Sequence, residues 1–221
     1  MAWGDFVPNL LVGLVRGRAR PEYAAGDQRL SLANGGEACV AFGLPPKSEI
    51  VRTGNSWYAA IPTANAFQPV AAYPTTLSNI VIYNGYPSTG PSLVIDTVGA
   101  VAITSIAAAS SLTLLAQISN VGVAAPTDNT AVLISGRTGT AYGGKVKRAI
   151  ANTDFAVANK WEVIGESSGH PSTAIGAGAF ADVGGGWIVP PGACFLTNVV
   201  ASTAGGTAIQ TVSWHELVLS I

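Results

Sequence analysis

Gly165-Glu166-Ser167-Ser168-Gly169 has the G-x-S-x-G form that presents a serine hydroxyl on a strained strand-to-helix turn. Asp182 and His215 follow, in the order in which an acid orients a histidine base for acyl transfer. That chemistry needs a helix after the turn. Here His170-Pro171-Ser172-Thr173 and then Ala174-Ile175-Gly176-Ala177-Gly178-Ala179 follow, which is poor helix material. No strand–helix alternation upstream would build a parallel sheet beneath the serine. The pentapeptide reads as a glycine-rich loop, with a serine hydrolase using Ser167 as the remote alternative.

Gly139-Thr140-Ala141-Tyr142-Gly143-Gly144-Lys145-Val146 matches a phosphate-binding G-x-x-x-x-G-K loop except at its last position. Val146 stands where a Ser or Thr hydroxyl would hold magnesium, so a hairpin loop flanked by Arg137, Lys145, Lys147 and Arg148 is expected instead. Gly176-Ala177-Gly178 lacks the third glycine of a dinucleotide loop. Glu162 and Glu166 are four residues apart, a weak acid–base signal when any two of twelve acids could be paired. His170, ahead of a proline, reads as a turn residue, and His215 as a strand-surface residue. Cys39, Cys194, His170 and His215 do not approach zinc-site spacing. The two cysteines could pair, although two small buried thiols is the preferred reading. The five tryptophans (Trp3, Trp57, Trp161, Trp187, Trp214) are scattered and read first as core or interface anchors rather than a sugar platform. No catalytic residue, cofactor or metal is expected.

The elements that carry these residues are short strands. β-Branched runs bounded by Gly, Pro, Asn and Ser recur at Gln28–Ala33, Glu37–Phe42, Glu49–Thr53, Ser56–Ile61, Asn79–Tyr83, Leu93–Thr104, Leu112–Ser119 and Ala131–Ile134. The second half adds Val146–Ile150, Trp161–Gly165, Gly186–Val189, Cys194–Ala201 and Ala208–Leu219. Turn chemistry separates them: Asn34-Gly35-Gly36, Asn84-Gly85-Tyr86-Pro87, Pro126-Thr127-Asp128-Asn129 and Pro190-Pro191-Gly192. In the last strand Val212, Trp214, Glu216 and Val218 share one face, and Ser213, His215, Leu217 and Leu219 the other. Such a chain is all-β, an antiparallel sandwich or barrel. One helical turn at Ile106-Ala107-Ala108-Ala109 is the only helix the pattern offers.

Charge sets the surroundings. The 221 residues hold 11 basic and 12 acidic side chains, about 10% of the chain against roughly 25% in an ordinary soluble domain. A net charge of −1 argues against nucleic acid as a direct partner and against a polybasic membrane-surface role. The uncharged stretch from Thr97 to Thr127 is punctuated by Ser, Thr, Gln and Asn, so it does not read as a membrane span. Between Arg52 and Arg137 lie 84 residues with two charges, Asp96 and Asp128. Either hydroxyls and amides cover that surface, or neighbouring subunits do; depletion of charge at interface cores favours the second. A neutral interface would be indifferent to salt.

A resemblance enters at the C-terminal third. Gly186-Trp187-Ile188-Val189, the Pro190-Pro191-Gly192 corner and Ala193-Cys194-Phe195-Leu196-Thr197-Asn198-Val199-Val200-Ala201 form a strand, turn and strand. Thr203-Ala204-Gly205-Gly206-Thr207 and a closing strand with Trp214-His215-Glu216 come next. This pattern resembles the terminal strands of jelly-roll structural proteins in bacteriophage virions, capsid decoration or cement proteins among them. The Asn79–Pro87 strand and turn before Leu93–Thr104 is similar in style. The likeness covers about half the chain and carries no signature residue. It implies a jelly-roll β-sandwich at residues 24–221, a homo-oligomer that is often a trimer, the phage major capsid protein as partner, and a place on the capsid surface after assembly in the host cytoplasm. It transfers no functional residue. Residues 1–23 depart from a compact jelly roll and read as an extended N-terminal arm. Trp3, Phe6, Leu10, Leu11 and Leu14 would be its subunit or capsid contacts, because leaving them in water would expose a large apolar patch. A shell subunit and a receptor- or carbohydrate-binding head are the alternatives.

Overall fold

The computed structural model describes residues 50–75, 77–104, 110–126, 134–139, 142–156, 160–170, 176, 178–202 and 205–218. The arm at 1–23 with Trp3, Phe6, Leu10, Leu11 and Leu14, the strands expected at 28–33 and 37–42, and the turn at 106–109 lie outside the described residues. Ten strands follow: β1 Ser56–Ala60, β2 Ser78–Tyr83, β3 Ser92–Ala102, β4 Ser110–Ile118, β5 Ile134–Gly136, β6 Lys147–Asn152, β7 Glu162–His170, β8 Gly178–Val189, β9 Cys194–Ala201 and β10 Ala208–Leu217. They form two antiparallel five-stranded sheets, β5-β1-β10-β3-β8 and β6-β2-β9-β4-β7. β1 pairs with β10, β2 with β9, β3 with β8 and β4 with β7, so each early strand is joined to a late one.

The all-β expectation holds, and burial explains why some strands read as continuous apolar runs. Ile80 and Ile82 of β2 and Phe195, Val199 and Ala201 of β9 point into the core between the sheets. Val81 of β2, Cys194 and Leu196 of β9 and Leu115 of β4 point the other way, into a second cluster with Trp161 and Ala149. Val123 and Phe155, from the segments after β4 and β6, pack on that cluster. Tyr73 ties the layer down by donating its hydroxyl to the Trp161 carbonyl at 2.8 Å. A strand buried on both faces loses the polar alternation that a half-solvated strand keeps. The charge-poor stretch therefore has a cause inside the chain: β2 and much of β3 and β4 are covered by the chain's own layers.

Turns fix the strand order. Gly192 has φ of +77° and Ala193 N–H donates to Pro190 O at 3.2 Å, the type II arrangement that Pro-Pro-Gly favours. Fully buried Asn84 donates to the carbonyls of Pro91 and Val189 at 3.0 and 2.9 Å and accepts from Tyr86 N–H at 3.2 Å. That residue pins the β2–β3 turn to the end of β8.

Several expectations are corrected. Residues 50–52, expected as part of a strand over Glu49–Thr53, are the end of a helix. Asn55 N–H donates to Ile50 O and Gly54 N–H to Val51 O, with Gly54 at φ of +76°, which closes the helix as a Schellman cap. Gly165 to Gly169 is not a loop: it runs within β7, which continues to His170 opposite Ser110. His170 thus ends a strand rather than sitting in a turn. The segment between β5 and β6 is not a hairpin loop, because β5 pairs with β1 in one sheet and β6 with β2 in the other. The strand expected at Gly186–Val189 begins eight residues earlier, at Gly178.

Candidate functional site

The Ser, Asp and His of the hydrolase-like constellation are distributed over three strands. Ser167 lies in the β7 ladder opposite Leu112, not on a strand-to-helix turn. Asp182 lies on β8 opposite Thr97, and its Oδ1 accepts from Gly184 N–H at 3.1 Å. His215 lies on β10 in the other sheet from Ser167, and its ring turns away from the core that its neighbour Trp214 enters. Its Nδ1 is 3.1 and 3.2 Å from the two carboxylate oxygens of Asp96, each side chain only 14% exposed. Asp96 reaches it because β3 carries an extra residue between Ile95 and Thr97 opposite Trp214 and Ser213. His215 is therefore a paired, mostly covered residue rather than an open strand-surface one.

The phosphate-loop lookalike leads into strand β6 rather than a helix, and its Tyr142 packs against the main core. Tyr142 donates its hydroxyl to Glu216 Oε1 at 2.6 Å, and Tyr86 donates to Oε2 at 2.8 Å. Val146 N–H donates to the Tyr142 hydroxyl at 3.0 Å, and Asn55 donates to the Glu216 carbonyl at 2.5 Å. The Tyr142 ring stands edge-on to Trp57, centroids 4.8 Å apart. Burial, reinforced by the bonds to Glu216, raises the pKa of Tyr142 well above the ordinary phenol value; burial raises that of Tyr86 as well. Gly144 leaves room for both rings, since a Cβ there would overlap both tyrosine hydroxyls. Nothing in the spacing of residues 86, 142 and 216 announces this cluster. The one available signal is that Glu216 shares the Trp214 face, which puts a carboxylate at the rim of the core.

Among the described residues, the remaining candidate is the open side where β7 and β8 end their sheets. A cleft of about 440 Å³ lies between them, lined by Glu162, Val163, Asp182, Val183 and Trp187. Trp187 rests edge-on against core residue Phe195, centroids 5.8 Å apart. Val163, Phe180 and Ile188 stand 54, 67 and 44% exposed along these same strands. Carboxylates beside an indole can accept hydrogen bonds from hydroxyl groups or face a basic surface. Among the described residues, no group of three His, Cys, Asp or Glu side chains could hold a metal ion, and no helix is long and apolar enough to cross a membrane.

Cys194 is a free, buried thiol whose pKa burial pushes up to about 12, against a smaller lowering by the Ser119 hydroxyl. Its folded value lies above the ordinary 9.0, so its contribution to stability is complete below pH 9.0 and is lost as pH rises toward about 12. Urea midpoints are expected to fall between pH 9 and pH 12, and Cys194→Ala is expected to flatten that fall. An unchanged alkaline slope in the variant would contradict this assignment.

Comparison of the chain with protein-family models, with curated proteins and with solved structures gives no match.

Proposed function

We propose that this protein is a non-enzymatic structural protein of a virion, a jelly-roll subunit that decorates or cements a bacteriophage capsid as a homotrimer seated on the major capsid protein. The strand order carries the reading. With β5 and β6 set aside as additions at one edge, β1-β10-β3-β8 faces β2-β9-β4-β7, the arrangement of a rolled hairpin of eight strands. That architecture recurs in viral capsid proteins and in lectins. Exposed Val163 on edge strand β7 and exposed Phe180 and Ile188 on edge strand β8 support assembly, because apolar side chains in water on sheet-edge strands are a liability for a lone protomer. The bond of His215 to Asp96, on a different sheet from Ser167, weighs against the hydrolase reading.

Assembly is tested by light scattering on the purified chain. A homo-oligomer near three times the 22.4 kDa chain mass is expected, and a monomer at every micromolar concentration would overturn the reading. A second reading, a carbohydrate-binding head, is favoured by Trp187 beside Glu162 and Asp182 in the cleft. Binding on a glycan array that Trp187→Ala abolishes would replace the cement reading with that one. Covalent labelling of Ser167 by a fluorophosphonate would overturn both.

A further inference from the structure

We propose that copies of this chain join head to tail, the β7/β8 side of one copy against the β5/β6 side of the next. The inference rests on the homo-oligomer reading above and adds the surfaces and their chemistry. Among the described residues, β8 and β7 end the two sheets on one side, and β5 and β6 end them on the other. Strands at a sheet edge keep backbone donors and acceptors available to another chain.

The two sides carry opposite charge. Residues 162–189, from β7 through β8, contain Glu162, Glu166 and Asp182 and no Lys or Arg. Residues 134–152, from β5 through β6, contain Arg137, Lys145, Lys147 and Arg148 and no Asp or Glu. Arg148 turns inward, donating to the Ala60 carbonyl, and burial lowers its pKa; the other three are exposed. All three acids are exposed as well. Lys160, just before β7, and Asp154, just after β6, are exposed charges of the opposite sign that hydrogen-bond Asn120 and Asn152, and they reduce the excess on each side to about two charges without reversing it.

A chain of net charge −1 is therefore acidic along one side and basic along the other. A two-fold contact of either side with itself would oppose like charges, whereas acidic against basic joins unlike ones. Such a contact uses different patches on the two partners, so it propagates and closes into a ring when the rotation allows. Val163 on the outer face of β7 and Phe180 and Ile188 on the outer face of β8 flank this side and add exposed apolar area at its two rims. This surface is charged, so the salt indifference expected of a neutral interface is replaced by salt sensitivity.

Sedimentation of the full chain tests the surfaces with two variants, Glu162→Lys with Glu166→Lys and Lys145→Glu with Lys147→Glu. Each variant alone is expected to self-associate at least tenfold more weakly than the native chain. Their equimolar mixture is expected to associate in alternating pairs, not in three-membered rings, because each variant then offers the other an unlike side and its own kind a like one. Native association is expected to weaken at least fivefold as salt rises from about 0.05 M to about 0.5 M, which shortens the screening length from about 14 to about 4 Å; this readout needs no variant to fold. Native-strength association of either variant, a mixture that stays apart, or salt-independent association of the native chain would overturn the proposed surfaces while leaving the homo-oligomer standing. A native chain that never associates would overturn the homo-oligomer itself.

Discussion

Trp214→Ala is expected to destabilise the fold by about 4 kcal/mol, the largest effect of any single substitution considered. Trp214 is fully buried on the inward face of β10, the central strand of its sheet, and belongs to the main core with Ala59, Val98 and Val212. Its indole N–H makes no hydrogen bond, so its contribution is packing. Truncation would leave a cavity that paired strands on either side cannot collapse to fill. Trp214→Phe keeps most of the volume and is expected to cost about half as much. A fall in the urea midpoint with an unchanged slope measures both. Against a typical total of roughly 5–15 kcal/mol, the alanine variant would be marginal at 37 °C. A loss below about 1 kcal/mol would mean that Trp214 is not in the core.

Glu216→Ala is expected to cost about 3 kcal/mol, because two tyrosine hydroxyls lose a charged acceptor at once. Tyr86 comes from the β2–β3 turn and Tyr142 from the segment between β5 and β6, so the carboxylate ties two connections to the end of β10. Glu216→Gln keeps one acceptor oxygen and is expected to recover roughly half the loss. Phenol fluorescence together with urea denaturation separates the two outcomes: the alanine variant loosens both tyrosines, and the glutamine variant keeps one. Equal stability of all three chains would show that the cluster is solvated rather than structural.

Strand identity was legible where punctuation was strong. Cys194–Ala201 is the strand read from the sequence, because Pro190-Pro191-Gly192 sets its start and the glycine-rich Thr203–Thr207 sets its end. The first part of β8 was missed, since Gly178 to Gly186 holds few β-branched residues and is placed by pairing with β3 rather than by its own propensity. The helix end at residues 50–52 was missed because three residues carry no period, and its cap depends on Gly54. The polar clusters were illegible for a different reason. Asp96 and His215 are 119 residues apart, and Tyr86 and Glu216 are 130 apart. Only the pairing of early strands with late ones brings such residues together, and no spacing rule encodes it. Charge was legible in amount but not in cause: β2, β3 and β4, within the neutral stretch, line the chain's own two cores, while the sign difference between the two sides emerges only once the edge strands are known.

Electron microscopy of the purified chain is the direct test of the proposed homotrimer. Closed particles with three-fold symmetry and a mass near three times 22.4 kDa are expected. Particles of single-chain size at micromolar concentration would contradict it.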